Sequence, residues 1–269
     1  HLAPDDDLIT PNGKVGGVLT GVRRAGRDRV VIADDDVRYG EEALIRTVDY
    51  LDRFDLVRPQ NHFLPARGHA AWDTSRILLN RISGGDWPGT LAVRRGRLLA
   101  AGGYRGDVLF ENLELVRTIQ AAGGRTFAPL DLYVPRLPAS GSGFLGQRVR
   151  HAYDELARPL RLSVWLAVLP LVGMAVAARA WRPLVAAGLG VVAAAELGRR
   201  RAGGRRVFPA SASLLAPGWV LERGVCVWLA LASRVLLGGV RYRGRVLRDA
   251  ASSEAALKRR FHRNADAAA

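Results

Sequence analysis

The first 158 residues alternate short apolar runs with amphipathic stretches, and the chain then turns into long uncharged blocks. Val30-Val31-Ile32-Ala33 is an apolar run of strand length and predicts a buried strand. Glu41 to Phe54 has helical spacing of apolar residues and acidic residues in its first turn, where they complement the helix dipole, so it predicts an amphipathic helix. Asp55 to Pro59 predicts the next strand. Ala70 to Arg81 predicts a helix with Trp72, Ile77 and Leu78 on its apolar side, and Thr90 to Val93 a strand after the loop from Gly84 to Gly89. Leu113 to Ala122 predicts a helix stopped by Gly123-Gly124, and Thr126 to Ala128 begins a further strand. Such alternation predicts an α/β layered domain. The opening stretch, Pro4 to Gly17, is rich in Asp, Pro and Gly and predicts a loop, with a turn at Asn12-Gly13-Lys14 and a solvated Asp5-Asp6-Asp7.

Beyond Arg158-Pro159 the pattern changes. Leu162 to Ala178 is 17 residues without a charge, which meets the lower limit of roughly 17 to 25 for a membrane span. Pro183 to Ala195 reaches spanning length only with Trp181 and Leu197-Gly198 included, and a buried hairpin is the alternative for this pair of helices. Val207 to Val240 is broken by Pro217-Gly218 and carries Glu222, Arg223 and Arg234. An interfacial helix, a re-entrant hairpin and a span are its three options. The chain is thereby expected to fall into an α/β unit over 1–158, a membrane region over 159–240 and a basic tail over 241–269. Arg199, Arg200, Arg201, Arg205 and Arg206 outnumber Arg179 and Arg182 across the second apolar block, which predicts a multi-pass cell-membrane protein with the α/β unit in the cytoplasm. The basic tail stays on that side if Val207 to Val240 is interfacial or re-entrant, the option favoured here. Trp165, Trp181, Trp219 and Trp228 suit a membrane-interface belt.

The formal charge is +15, yet all but two of the 40 basic residues are Arg, the lysines being Lys14 and Lys258. That bias, with no aromatic interleaving and no recognition motif, argues against a nucleic-acid partner. The single cysteine, Cys226, excludes an intrachain disulfide and a multi-cysteine metal site, and its apolar setting predicts a packed thiol. No signal-peptide pattern is present.

Asp34-Asp35-Asp36 closes the apolar strand, delivering carboxylates to the edge of a sheet where open α/β folds keep their ligands. Asp34 and Asp36, at alternate positions, can share one hard Mg²⁺ or Mn²⁺ whose remaining positions go to water and phosphate oxygens. An acidic turn is the plain alternative. Three more motifs are arranged around this triplet. They are Asn12-Gly13-Lys14-Val15 upstream, Gly102-Gly103-Tyr104 followed by Glu111-Asn112-Leu113-Glu114, and Gln147-Arg148-Val149-Arg150-His151 just before the apolar blocks.

In this order, and with an apolar C-terminal region, the motifs resemble the family-2 processive and lipid-directed glycosyltransferases of the A-type fold, particularly bacterial ceramide-glucosyltransferase-like enzymes. The resemblance covers about Asn12 to Arg158, and more loosely Tyr242-Arg243-Gly244-Arg245, which is similar to a Trp-Arg-Gly-Arg stretch of that group. It implies a nucleotide-diphospho-sugar transferase (A-type) α/β fold followed by C-terminal transmembrane helices. The family's first strand, helix and strand have no counterpart before Asn12, so an N-terminally truncated domain is expected.

The resemblance also implies roles. Asp34 and Asp36 match the DxD metal motif, with Asp35 its spacer on the donor side. Lys14 falls near the donor. Glu111 and Asn112 fall on the Glu-Asp pair whose Asp usually takes the acceptor's proton. Gln147, Arg148 and Arg150 match a QxxRW-type motif that binds diphosphate and acceptor, a task suited to the planar Arg fork. The partners implied are a nucleotide-sugar donor and a lipid or polyprenyl-phosphate acceptor at a membrane, and the transfer inverts the anomeric centre. Two departures stand out. Asn112 cannot accept a proton at useful pH, which leaves Glu111 or Glu114 as the base, an acceptor already anionic, or a site without activity. His151 replaces the motif's Trp. Trp72 and Trp87 are candidates for an acceptor groove or for packing.

Overall fold

The computed structural model describes residues 2–242 and 244–266. In chain order it comprises α1 (Gly13–Arg24), β1 (Arg29–Ala33), α2 (Glu41–Asp49), β2 (Leu56–Val57), β3 (Gln60–Phe63), α3 (His69–Asn80), β4 (Thr90–Arg94), α4 (Arg95–Ala100), α5 (Glu111–Ala121), β5 (Thr126–Phe127), β6 (Tyr133–Arg136), α6 (Gly141–Ala152), α7 (Pro159–Ala177), α8 (Trp181–Arg200), α9 (Ala210–Leu236), β7 (Val240–Tyr242), β8 (Arg245–Leu247) and α10 (Glu254–Asp266). The main sheet has the order β1-β4-β2-β5. β4 runs antiparallel to both of its neighbours, with Val31 opposite Ala92, and β2 pairs parallel with β5. The fold is therefore mixed α/β.

Side chains alternate across this sheet as the pleat requires. Val30 and Ile32 face α1 and α5, packing with Val15, Leu19, Val22, Leu115 and Ile119. Val31 faces the other way, onto Leu51, Val57 and Ala92. β1 lies at the edge of the sheet and only Ile32 is buried in it, so the fully buried strand expected from the apolar run is half-buried instead. Its partner β4 sits inside the sheet and buries Thr90 to Val93 completely.

The opening stretch departs from the expected loop. α1 begins at Gly13, because Asn12 turns its side chain to cap the helix by accepting from the Lys14 backbone N–H, and a cap at that place recruits the residues after it. Position 16 within that helix is a glycine because the chain passes itself there: a Cβ would lie 2.4 Å from the Leu8 carbonyl oxygen. Asp5 and Asp7 are paired with Arg23, at 3.1 and 2.8 Å, so the first acidic triplet is tied to α1. The amphipathic stretch from Glu41 ends its α-helix at Asp49 and continues as a 3-10 turn over Tyr50–Asp52.

After the α/β layers the chain builds a helical layer. α3 packs on α8 and α9 through Ile77, Leu78, Ala195, Phe208, Ala212 and Ala216. α7 buries none of its residues and leaves Leu160, Val164, Leu171 and Met174 exposed. Two helices, α7 and α9, are long and apolar enough to cross a membrane. α9 is continuous through Pro217, where a break was expected, over 27 residues. Contacts on several sides hold it there: it packs on α3, α6, α7 and α8, and neighbours around a helix can support a proline inside it. Its charges are absorbed internally. Glu222 receives Trp72 and Arg148, and Arg223 reaches Asp154 at 2.7 Å and Glu155 at 2.8 Å. Trp219 is buried edge-on against Trp165, a packing role where a membrane-interface position was expected. Cys226 is buried, as its surroundings predict.

The chain then returns to the α/β layer. Leu109 N–H donates to the Asp249 carbonyl at 3.0 Å and Phe110 N–H to the Ala250 carbonyl at 2.9 Å, so residues 249–252 strap the loop that precedes α5. Of the Tyr242 to Arg245 stretch, Arg243 lies outside the described residues.

Candidate active site

Asp34 sits at the end of β1 because its backbone N–H donates to the Gly89 carbonyl at 2.8 Å, while the buried Asn61 side chain accepts from the Gly89 N–H at 2.7 Å. Gly89 is required by proximity: a Cβ there would stand 2.6 Å from Asp34 Oδ2. The triplet next turns onto β6. Arg38 N–H donates to the Pro135 carbonyl at 2.9 Å and Leu137 N–H to the Asp36 carbonyl at 2.9 Å. This places the Arg136 guanidinium between the two acids, Nε 2.8 Å from Asp36 and Nη2 3.5 Å from Asp34. Asp35 points to solvent, and its carbonyl accepts from Arg38.

Lys14 joins the triplet to α5. Its Nζ is 2.5 Å from Asp34 Oδ1 and 2.7 Å from Glu111 Oε1. Burial pulls the Lys14 pKa down, but Glu111 and Asp34 outweigh it, and the ammonium is held above its ordinary value. Asn12 Nδ2 donates to the Val108 carbonyl at 3.1 Å, which fixes the loop that leads into Glu111.

Asp34, Glu111, Asn112, Gln147 and Arg150 all line one cleft of about 230 Å³, together with Arg76, Trp87, Arg136, His151, Asp154, Arg158 and Tyr242. Residues from distant parts of the sequence thus meet at one cleft. Asn112 turns its amide away to donate to the Pro88 carbonyl at 3.0 Å. The Arg150 guanidinium lies 5.4 Å from the Tyr242 ring centre, and that of Arg158 lies 5.0 Å from Trp87, whose ring also carries Arg58 at 4.2 Å. Arg58 is so buried that its pKa falls to about 10. A smaller cavity behind the cleft shares Arg76, Arg136, Gln147 and His151 and adds Asp36 and Asp73.

Five candidates from the sequence are not on the cleft lining: Lys14 meets it only through Asp34 and Glu111, Asp36 lines the smaller cavity, Asp35 is exposed, and Glu114 and Arg148 are engaged elsewhere. Glu114, considered as a base, has no exposure and accepts from the Ser252 N–H at 2.6 Å, beneath the strap. Arg148, considered for diphosphate, is turned toward the helical layer and binds Asp73 and Glu222, its Nη2 2.8 Å from Glu222 Oε2. Helical periodicity is the reason for Arg148, which follows Gln147 on α6 and so sits on a different face, whereas Glu114 lies a turn further into α5 than Glu111 and is covered by the strap.

Sequence reasoning missed Arg76, Arg136, Asp154 and Arg158 as members of the site. In a chain with so many arginines no single one carries a signal, and Asp154 follows the motif without spacing of its own. Asp154 is buried, which raises its pKa against the lowering effect of Arg223. His151 is in the cleft, and burial holds its ring well below the ordinary imidazole value, an effect strengthened by Arg76, Arg223, Arg148 and Arg150. Its Nδ1 is buried without a partner.

The acidic end suits a divalent cation in one respect. Asp36 Oδ1 is buried and no hydrogen-bond donor reaches it, and an orphan carboxylate oxygen is what a hard cation satisfies. Among the described residues no group of three or more His, Cys, Asp or Glu side chains forms a closed cage. An open pair of carboxylates, with the rest of the sphere left to water and phosphate, is the usual arrangement for Mg²⁺.

No family model matches the chain, and no curated protein matches it. Among solved structures it is similar to the mannosyltransferase PcManGT from Pyrobaculum calidifontis in complex with GDP-Man and Mn²⁺, at 20% identity and a TM-score of 0.48. The match covers 80% of this chain and 66% of that one, just under two thirds of its length.

Proposed function

We propose that the chain is a membrane-associated, inverting glycosyltransferase that moves a sugar from a nucleotide-diphosphate donor to a lipid or lipid-linked acceptor at the cytoplasmic face. One observation carries the reading. Asp34, Glu111, Gln147 and Arg150 converge at a single cleft, with Lys14 paired to the first two, and its lining also includes Arg158, which precedes α7. A cleft lined by carboxylates and arginines, with Lys14 paired to two of those carboxylates and exposed apolar helices beside it, suits a charged donor meeting an amphiphilic partner.

Asp34 and Asp36 would hold the Mg²⁺ or Mn²⁺. When bound, that ion neutralises the donor's diphosphate and makes the nucleotide a better leaving group. Lys14 holds Asp34 and Glu111 in one geometry, and Arg136 does the same for Asp34 and Asp36. Trp87 and Tyr242 offer ring faces along the cleft, and Gln147 adds a neutral hydrogen-bonding group.

The reading is tested with the protein in detergent micelles, titrated with UDP-glucose and GDP-mannose in the presence of Mn²⁺. Asp36→Asn is expected to abolish metal-dependent donor binding and sugar transfer, and unchanged transfer by that variant would sink the proposal. Asn112 and the lysine-bound Glu111 also favour a second reading, a membrane scaffold that keeps the fold without a base. Donor hydrolysis or transfer that disappears in Glu111→Gln excludes that reading.

A further inference from the structure

The β7–β8 hairpin has two unlike faces. Its register sets Val240 opposite Leu247, Arg241 opposite Val246 and Tyr242 opposite Arg245, and side chains alternate across such a pair. Leu247 is buried with Tyr153, Cys226 and Val227, and Val240 and Tyr242 pack against the same cluster. The cross-strand pair Arg241 and Val246 takes the outward face and is exposed.

This outward face mixes apolar side chains with cations. Leu236 and Leu237 at the end of α9 and Val246 in the hairpin are 78, 65 and 53% exposed. Arg241, Arg245 and Arg248 are exposed in the same short segment, and among the described residues none of them forms an ion pair. The apolar part continues along α9, where Leu214, Leu221, Val225, Trp228 and Val235 are exposed at helical spacing. Glu222 and Arg223 of that helix are instead bound within the protein, to Arg148, Asp154 and Glu155. Bulk water does not favour the leucines and a hydrocarbon interior does not favour the guanidiniums. The headgroup layer of a bilayer accommodates both, because long basic side chains reach phosphate while apolar neighbours enter the acyl boundary.

We propose that the end of α9 and the outward face of the β7–β8 hairpin form a foot that seats in the headgroup layer of a bilayer containing anionic phospholipid. The inference rests on the membrane association in the proposed function and not on sugar transfer. A bilayer is the favoured partner over another protein because the foot is continuous with the exposed apolar surfaces of α9 and α7. Anionic headgroups are favoured over neutral ones because the three arginines bring charge with no acid to balance it. The foot is also attached to the cleft. Tyr242, on the inward face of the hairpin, lines that cleft. β8 runs directly into the strap, whose Asp249 and Ala250 carbonyls hold the loop before Glu111. Seating the hairpin therefore fixes this part of the cleft relative to the bilayer surface.

The test is amide hydrogen exchange of residues 235–242 and 244–248 in the full chain, reconstituted in nanodiscs of phosphatidylcholine alone and of phosphatidylcholine mixed with phosphatidylglycerol. The anionic lipid is expected to slow exchange there by about ten-fold or more, and raised salt to remove the difference. A triple variant, Arg241→Gln with Arg245→Gln and Arg248→Gln, is expected to exchange alike in both lipids, and the corresponding Lys variant to keep the difference. Equal exchange in the two lipids by the unaltered chain, a comparison needing no variant, overturns the surface. Inorganic phosphate that gives the same protection without anionic lipid assigns a free-anion site and overturns the bilayer as partner. Protection that rises with protein concentration in detergent micelles marks a second copy as the partner and overturns it too. A chain that stays out of both nanodiscs removes the membrane reading and this proposal together. Sugar transfer enters none of these measurements, so its failure and the failure of this surface are told apart.

Discussion

The Asn112 side-chain amide donates a hydrogen bond to the Pro88 carbonyl oxygen at 3.0 Å. This contact makes an amide, and not a carboxylate, the suitable group at that place. Asn112→Asp would set a carboxylate oxygen against a carbonyl oxygen, with no donor between them. The variant is expected to lose about 1–3 kcal/mol of stability and to gain no transfer rate. Denaturant unfolding and initial rates on the same preparation check both parts, and a rate increase would return Asn112 to the role of a lost base.

Glu114 separates a structural carboxylate from a catalytic one. It is fully buried and accepts from the Ser252 N–H at 2.6 Å, while the Arg117 Nη1 donates to the Ser252 carbonyl at 2.7 Å. Glu114→Gln keeps an oxygen for that N–H and is expected to retain activity. Glu114→Ala leaves the N–H unsatisfied and is expected to cost about 1–3 kcal/mol. Loss of activity in the Gln variant at unchanged stability would assign Glu114 to the chemistry.

Arg148 is expected to matter for stability more than for binding. Its guanidinium joins Asp73 of α3 to Glu222 of α9, and Trp72 also donates to Glu222. Arg148→Met removes the cation from two largely buried acids, and breaking such a pair from one side costs about 3–5 kcal/mol. Thermal unfolding in detergent would fall well below that of the parent, while donor affinity measured below the transition stays within about two-fold. A large loss of donor affinity in a stable Arg148→Met protein would move this residue back into the cleft.

His151 predicts a pH dependence with a definite sign. Burial and the surrounding guanidiniums hold its folded pKa well below the ordinary value near 6.5. The unfolded chain therefore binds a proton at pH values where the folded chain does not. Stability is unaffected above about pH 7 and declines as pH drops below 6.5, by at most about 1.4 kcal/mol per unit until the folded ring also protonates. His151→Phe should flatten that part of the profile. Unfolding curves between pH 7.5 and 5.5 that are parallel for parent and variant would contradict the assignment.

The elements that sequence patterning identified best are those with a local cause. β4, α3 and α5 fall close to their expected positions because apolar period and Gly stops act within a few residues. α1 was hidden for the opposite reason. Its start depends on Asn12 as a cap, and its glycines look like loop until the Leu8 carbonyl is seen against Gly16. The same holds for α9, where Pro217-Gly218 signals a break that the packed neighbours override.

The sequence alone determined the acidic triplet at a strand end, the Lys14, Glu111 and Gln147 to Arg150 motifs, and the apolar blocks, since each is a matter of residue type and local spacing. Tertiary structure alone decided which members of those motifs share a wall. Adjacent helical residues diverge by about 100°, so Arg148 turns away from the cleft that Gln147 lines, while Glu114, a turn further into α5 than Glu111, is covered by the strap. It also decided the companions. Arg76, Arg136, Asp154, Arg158 and Tyr242 come from β6, three helical segments and a hairpin, and only the packing of α/β layers against the apolar helices brings their charges together.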